Sequence, residues 1–304
     1  MKIAVTTPSG HVGRAVVGYL LDLGPTIQLK LLCRRPEKLR GFVERGAEIA
    51  VGSQDDVDYM LRATGDVDAL FWATPPGYGS DDVRAFQNRL ATAACTAIRA
   101  NEIPRVVNLS SIGAHLSSGV GPINGLYDAE HRFDDVAANV THLRPGFFFE
   151  NLLWQLDSIR KWGRISLPIS GTQRYPMIAT RDIGRVAATR LADSKWTGHW
   201  VRELHGPADL SLPEVAGILS KVLGRKIVYV RNDRQEMRTM LLESAMSENA
   251  TDLMLEMYDA VETGKLRTIQ PRTPETTTST TLEEFARDVM LPLIAQPASA
   301  AKGT

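Results

Sequence analysis

The sequence predicts an α/β fold: a doubly wound parallel sheet of the Rossmann type with a smaller, mostly helical C-terminal domain. Three observations predict it. Short apolar runs alternate with amphipathic stretches from Lys2 to Arg144, the pattern of strands covered on both faces by helices. A glycine-containing turn, Thr7-Pro-Ser-Gly-His-Val-Gly13, joins the first apolar run to the first helix. Beyond Pro145 the rhythm breaks and helical periodicity takes over.

Taken in order, Lys2-Ile-Ala-Val-Thr6 is short, apolar and β-branched, as a buried strand requires. After the turn and its helix, residues 26–33 form a second strand, which ends on Arg34-Arg-Pro-Glu-Lys38. A helix at 37–45 and a third strand at 47–51 follow. A helix at 55–62 precedes the strongest buried-strand signal of the chain, Val67-Asp-Ala-Leu-Phe-Trp-Ala-Thr74. Residues 81–101 read as helix, 105–110 as the fifth strand, 127–138 as helix and 140–144 as the sixth strand. Helices are then expected at 149–162 and from Thr180, with a loop through Pro168 and Gly171 between them. From Leu210 the chain is mostly helical. Ser211-Leu-Pro-Glu214 forms a capping box, and Gly224 closes that helix before a short strand at 226–230. The expected organisation is a nucleotide-binding domain over 1–150, to which the chain returns near 175–205. A smaller substrate-cleft domain covers 151–174 and 206–292, and a disordered tail covers 293–304.

Thirty-five basic and thirty-five acidic residues balance, so net charge makes no case for nucleic acid or membrane as a partner. Cys33 and Cys95 sit in apolar patterns, as reduced core cysteines do. No apolar run approaches the ~18 residues of a membrane span, and no signal-peptide pattern appears. A cytoplasmic location is expected, and a homodimer is left open.

Strand, glycine turn, helix, strand and basic tip together describe a dinucleotide site. The glycines allow close backbone approach to a pyrophosphate, and the free N–H groups of the helix start attract its charge. An acidic residue at the tip of the second strand would favour a free ribose 2′-hydroxyl. Arg34, Arg35 and Lys38 favour a 2′-phosphate, which selects NADP(H). In such a sheet the ligand lies at the carboxyl ends of the strands. The expected cofactor contacts are therefore Thr7, Ser9, Gly10, His11, Val12 and Gly13 in the turn, and Arg34, Arg35 and Lys38 at the tip. Ala73, Thr74, Pro75, Ser110 and Pro145 at later strand ends complete the set.

The glycine turn and tip, Ala73-Thr-Pro-Pro76, Asn108-Leu-Ser-Ser111 and Leu143-Arg-Pro-Gly-Phe-Phe-Phe-Glu-Asn151 occur in a specific order and spacing. So do Ala179-Thr-Arg-Asp-Ile183, Leu223-Gly-Arg-Lys-Ile227, and the stretch from Thr273-Pro to Leu282-Glu-Glu-Phe285. Over roughly residues 2–290 the chain resembles the NmrA-like family of atypical short-chain dehydrogenases. The resemblance implies a Rossmann domain, a small C-terminal domain and NADP(H) in the cleft between them. It does not imply one reaction, because the family includes quinone and dye reductases as well as redox-sensing regulators. One departure is that the family's usual first glycine of the turn is Thr7, followed by Pro8. Threonine resists positive φ, so a less tight turn and lower cofactor affinity are expected.

Short-chain dehydrogenases use a tyrosine acid assisted by a lysine four residues later. The equivalent here is Tyr127 with His131, and an imidazole of unperturbed pKa ~6.5 is largely neutral at pH 7. Tyr127 would then be a poor acid. The expected reaction is one with few acid–base demands: direct hydride transfer from NADPH to a small aromatic, quinone or enone-like substrate. Phe147 and Phe148 could wall its pocket, while Tyr78, Tyr175 and His115, in loops near the mouth, could donate a proton or hydrogen bond. Two alternatives stay open: an NADP(H)-sensing regulatory protein without catalysis, and a non-redox enzyme on the same fold. The six histidines show no ligand spacing with cysteine or acid, so no metal site is expected.

Overall fold

The computed structural model describes residues 1–295. Its strands are β1 (Lys2–Thr6), β2 (Gln28–Cys33), β3 (Glu48–Val51), β4 (Ala69–Ala73), β5 (Val106–Leu109) and β6 (Asn139–Pro145), then β7 (Phe147–Phe148), β8 (Arg164–Leu167), β9 (Arg174–Ile178), β10 (Gly198–Leu204), β11 (Asp209–Ser211) and β12 (Val228–Arg231). Its α-helices are α1 (His11–Asp22), α2 (Arg40–Val43), α3 (Val57–Ala63), α4 (Val83–Ala100), α5 (Asn124–Asp134) and α6 (Leu156–Trp162), then α7 (Thr180–Ala192), α8 (Leu212–Leu223), α9 (Arg234–Glu243), α10 (Glu248–Glu262), α11 (Leu282–Phe285) and α12 (Leu291–Ala295).

Seven strands form one parallel sheet in the order β10-β6-β5-β4-β1-β2-β3. The chain winds outward from β1 through β2 to β3, returns to β4, and winds the other way through β5 and β6 to β10. The reversal falls between β1 and β4, which opens a crevice at their carboxyl ends. Side chains alternate across the sheet. Ile3 and Val5 pack with Val12, Val16 and Leu20 of α1 and Ile183 and Leu191 of α7. Ala4, Leu70 and Trp72 pack on the opposite face with Met60 of α3, Leu90 of α4 and Phe133 of α5. Helices α1 and α7 cross closely, because Gly184 offers no side chain: a Cβ there would sit 2.3 Å from that of Ala15.

The later part of the chain holds a third core, around Phe149, Ile159, Ile165, Leu219 and Phe285. Helix α8 begins and ends as its sequence requires, with the Ser211–Glu214 capping box and Gly224 at φ 65°.

Several expectations need correction. Within the 175–205 stretch, read only as helix from Thr180, the chain also adds β10 to the main sheet, a seventh strand whose pattern is blurred because it lies at the edge. Trp200 and Val201 on it are 52% and 38% exposed. Two small sheets, β11-β9-β7 and β12-β8, accompany the later helices. The helix expected at 127–138 starts at Asn124 and ends at Asp134, and those at 37–45 and 149–162 each begin with a 3₁₀ segment. Of the tail expected over 293–304, residues 293–295 belong to α12; the remainder lies outside the described residues.

The sixth strand is locked to α5 by a buried ion pair. Arg144 Nε donates to Glu130 Oε1 at 2.9 Å and Nη2 donates to Oε2 at 2.5 Å, with the side chains 8% and 3% exposed. Glu130→Ala would strand a buried guanidinium. It is expected to lower stability by about 3–5 kcal/mol, read from the urea midpoint, whereas a loss under about 1 kcal/mol would mean that Arg144 finds water.

Candidate cofactor and active site

The crevice between β1 and β4 is built from backbone first. Helix α1 has Gly10 as its N-cap, and among the described residues no side chain caps it. Its first-turn N–H groups are therefore free to meet an anion at the carboxyl end of β1. Val12 is buried in the core, so it can offer only its backbone, while Gly10 and His11 are exposed. A Cβ at Gly13 would lie 2.2 Å from the Thr7 carbonyl oxygen, so helix and turn can meet this closely only at glycine.

Thr7 corrects the sequence reading. It adopts φ 46°, in the left-handed region, and its carbonyl accepts the Gly10 N–H at 3.0 Å. The turn is thus a tight one, held by a β-branched residue against its own preference. The expected loosening does not occur.

The tip of β2 leads into a 3₁₀ turn, Pro36–Leu39, anchored by buried Leu39. Arg34, Arg35 and Lys38 are all exposed, and among the described residues none of them forms a salt bridge. Thr6 stitches the floor of the crevice: its hydroxyl donates to the Phe71 carbonyl at 3.1 Å and accepts the Ala73 N–H at 2.9 Å. The Thr74 hydroxyl accepts the Trp72 indole N–H at 2.9 Å, and Pro75 is half-buried in the loop that follows. Ser110 is buried at the end of β5; its N–H donates to Leu143, while its hydroxyl has no partner among the described residues. The Pro145 carbonyl accepts the Ile112 N–H at 3.2 Å. These are the strand ends that face the crevice. A surface hollow lined by Met1, Thr26, Asp68 and Arg105 lies at the opposite, amino end of the strands.

Phe147 and Phe148 are half-buried on β7, which pairs with Met177 and Ile178 of β9. Phe149 is core and packs on Phe285 with ring centroids 5.6 Å apart. Tyr78 lies in the loop after β4, its ring against Met237 and Met254 and its carbonyl accepting the Ser247 N–H; burial pushes its phenol pKa up. Tyr175 is on β9 rather than in a loop. It donates to Gln173 Oε1 at 3.4 Å, and burial with the Glu262 carboxylate pushes its phenol up to about 12. His115 is in the loop after β5, where its Nδ1 is buried without a partner among the described residues. Burial first, and the Arg144 charge next, hold its pKa below the usual imidazole range, so it is neutral at pH 7.

Tyr127 and His131 do meet, but as a stack. Their ring centroids are 4.0 Å apart at 38°, and His131 Nδ1 donates to the Tyr127 carbonyl at 2.9 Å. The imidazole thus faces the ring and backbone of Tyr127, and it is exposed.

Two groups escaped the sequence reading. Arg14, on the first turn of α1, donates to the carbonyls of both Ser9 and Lys38. Glu150 is a buried carboxylate that accepts the Thr180 N–H at 3.1 and 3.0 Å and the Thr180 hydroxyl at 2.6 Å, fixing the start of α7; desolvation raises its pKa. Glu150 stands in the Leu143–Asn151 motif, so a signal existed, whereas Arg14 looks like any exposed helix residue. Among the described residues no group of three or more His, Cys, Asp or Glu could hold a metal ion, and no helix is long and apolar enough to cross a membrane. The uncapped helix start, the two-glycine cradle and the unpaired cationic tip fit a phosphorylated dinucleotide.

The model of the NmrA-like family matches residues 1–286. An NAD(P)H azoreductase of Xenophilus azovorans is 30% identical over 289 residues, covering 94% of this chain and 96% of its own. Among solved structures, the Citrobacter triphenylmethane reductase complexed with NADP(H) superposes with TM-score 0.79 at 20% identity, covering 95% of this chain and 99% of that one. The Escherichia coli NADPH-dependent quinone oxidoreductase complexed with NADPH gives 0.78 at 20% identity, with the same coverage. At that identity the two structures establish the shared fold.

The turn geometry yields a paired prediction. Gly13→Ala drives a methyl into the Thr7 carbonyl and is expected to cost about 1–3 kcal/mol and to weaken NADPH binding. Thr7→Gly removes the left-handed penalty and is expected to stabilise the protein by up to about 1 kcal/mol. Thermal unfolding with and without NADPH measures both, and destabilisation by Thr7→Gly would contradict the strained turn.

Proposed function

The chain belongs to the NmrA-like family, and on that premise we propose that it is an NADPH-dependent reductase of a small aromatic, quinone or enone-like substrate. When bound, the dihydronicotinamide supplies a hydride. The chain's own part is to hold and select: the α1 start takes the pyrophosphate, and Arg34, Arg35 and Lys38 take the 2′-phosphate through charge-assisted contacts. Phe147 and Phe148 offer a partly exposed apolar surface directly after the carboxyl end of β6, on which a flat substrate can lie. The later part of the chain, with Tyr175 on β9 and its helices packed against Tyr78 of the loop after β4, forms the far wall.

The observation that carries this reading is the Tyr127–His131 stack. An imidazole stacked on the ring and bonded to the backbone supplies no permanent positive charge to lower a phenol pKa. Reactions that begin with proton transfer to a carbonyl are therefore poorly served, and electron-poor acceptors that take hydride directly are well served. His115, neutral and with a buried ring nitrogen, is the group we assign to hydrogen-bond the reduced oxygen or nitrogen. The Xenophilus relative's name adds aromatic azo compounds to the acceptors worth testing.

The same stack would also suit a cofactor-sensing protein that performs no chemistry, and turnover separates the two. Purified protein with NADPH and a panel of quinones, enones and azo dyes is expected to consume NADPH only when an acceptor is present. No consumption with any member would overturn the reductase reading. Tyr127→Phe is expected to change kcat by less than about threefold, because removal of a true general acid costs about 100-fold or more. Arg34→Glu is expected to weaken NADPH binding by about 10- to 100-fold, since it replaces a charge-assisted contact with repulsion. NADH binding should change little, and equal losses for both would place the 2′-phosphate elsewhere.

A further inference from the structure

Arg14 lies one residue beyond the last glycine of the turn, and its guanidinium spans two segments far apart in sequence. Nε donates to the Ser9 carbonyl at 3.0 Å, and Nη2 donates to the Lys38 carbonyl at 3.2 Å, 24 residues away. Ser9 belongs to the glycine turn and Lys38 to the cationic tip. Among the described residues no other side-chain hydrogen bond joins residues 7–13 to residues 34–38. We propose that Arg14 is a positioning residue that sets the preference for NADPH over NADH, by fixing the reach between the glycine turn and the basic tip. This rests on the reading of those two segments as the pyrophosphate and 2′-phosphate sites.

The physical argument is one of preorganisation. The pyrophosphate and the 2′-phosphate of one dinucleotide lie on a single molecule, so a site that holds both must keep its two anion-binding segments at a matching distance. The tip is a short 3₁₀ turn with a single buried anchor, Leu39, and its three cations are long and exposed. Unrestrained, their ordering would be charged against binding. A planar guanidinium can serve two carbonyls through separate N–H groups held in a rigid fork, which an ammonium cannot reproduce. NADH, lacking the 2′-phosphate, gains little from a tip held in place.

Charge alone could give Arg14 some effect on a phosphate, and the Arg14→Lys substitution separates the two roles. Equilibrium titration of NADPH and NADH should show that Arg14→Ala and Arg14→Lys both weaken NADPH binding about tenfold, the loss expected when hydrogen bonds from a charged donor are removed. NADH binding should fall by about threefold or less, so the ratio of the two affinities narrows in both variants. In the protein without cofactor, amide hydrogen exchange over residues 36–40 should quicken in both variants. Full recovery of NADPH binding in Arg14→Lys would show that only the charge matters and would overturn the proposal, as would unchanged exchange at the tip. If exchange quickens while Arg34→Glu fails to separate NADPH from NADH, the clasp stands and the placement of the 2′-phosphate fails. Because Arg14 is exposed, both variants should keep the parent's thermal unfolding, and a large loss in either would mark the residue as a general structural element instead.

Discussion

The rest of the molecule depends on one backbone contact, that between the Thr7 carbonyl and the Cα of Gly13. It fixes the angle at which α1 leaves β1, because nothing larger than hydrogen fits between the turn and the first helical turn. The angle sets where α1 lies on the sheet, and α1 in turn receives α7 across the Ala15–Gly184 contact. Helix α7 begins at Thr180, whose N–H and hydroxyl are held by Glu150, and Asp182 in its first turn accepts the Thr280 N–H at 2.9 Å. A chain of close contacts therefore runs from the cofactor turn to the segment after β7 and to the strap before α11. The glycine turn, the segment after β7 and the strap before α11 are parts of one packed unit, so small errors at the turn are transmitted rather than absorbed.

Electrostatics follows the same division between structure and site. Several structural cations are paired: Lys2 and Lys30 share Asp66, holding its carboxyl down to about 2, Arg84 meets Asp128, and Arg144 is buried on Glu130. At the tip, Arg34, Arg35 and Lys38 stand close together along the chain, and none has an ion-pair partner among the described residues. Like charges held near one another oppose folding, and with a net charge of zero there was no shortage of acids to neutralise them. Such an arrangement makes physical sense when an anion supplies the missing charge.

How much of this was legible in the sequence depends on burial. The inner strands β1, β2, β4 and β5 are covered on both faces, so they read as continuous apolar runs, and β4 with its fully buried Phe71 and Trp72 was the clearest. Strand β10 was missed because one side of it is open, and β7 was missed because two residues cannot show a period. Composition identified the glycines and the basic tip. It could not show that Thr7 accepts a left-handed conformation, since that outcome depends on the Gly10 N–H and on Gly13 from across the turn. The spacing of Tyr127 and His131 placed them on one helix face, but spacing cannot distinguish a stacked pair from a proton relay. Arg14 had no signal, because its two acceptors are brought together only by the tertiary fold.

These pieces divide the work of the protein in a particular way. On the proposed reading, cofactor choice is concentrated in the first thirty-eight residues, where backbone N–H groups and three cations would act on phosphates far from the reacting carbon. On that reading, chemistry falls to the loops after β5 and β6, where His115 lies near the buried Arg144–Glu130 pair and the phenylalanines of β7 begin. The Arg144 charge helps keep His115 neutral, while Glu130, bonded to Arg144, acts the other way on the imidazole, so burial is the larger cause. On the proposed reading, a neutral imidazole with no strong acid beside it suits an acceptor that gains an electron pair first and a proton afterwards. That order of events requires no strong acid, which is why a stacked Tyr127–His131 pair is compatible with turnover.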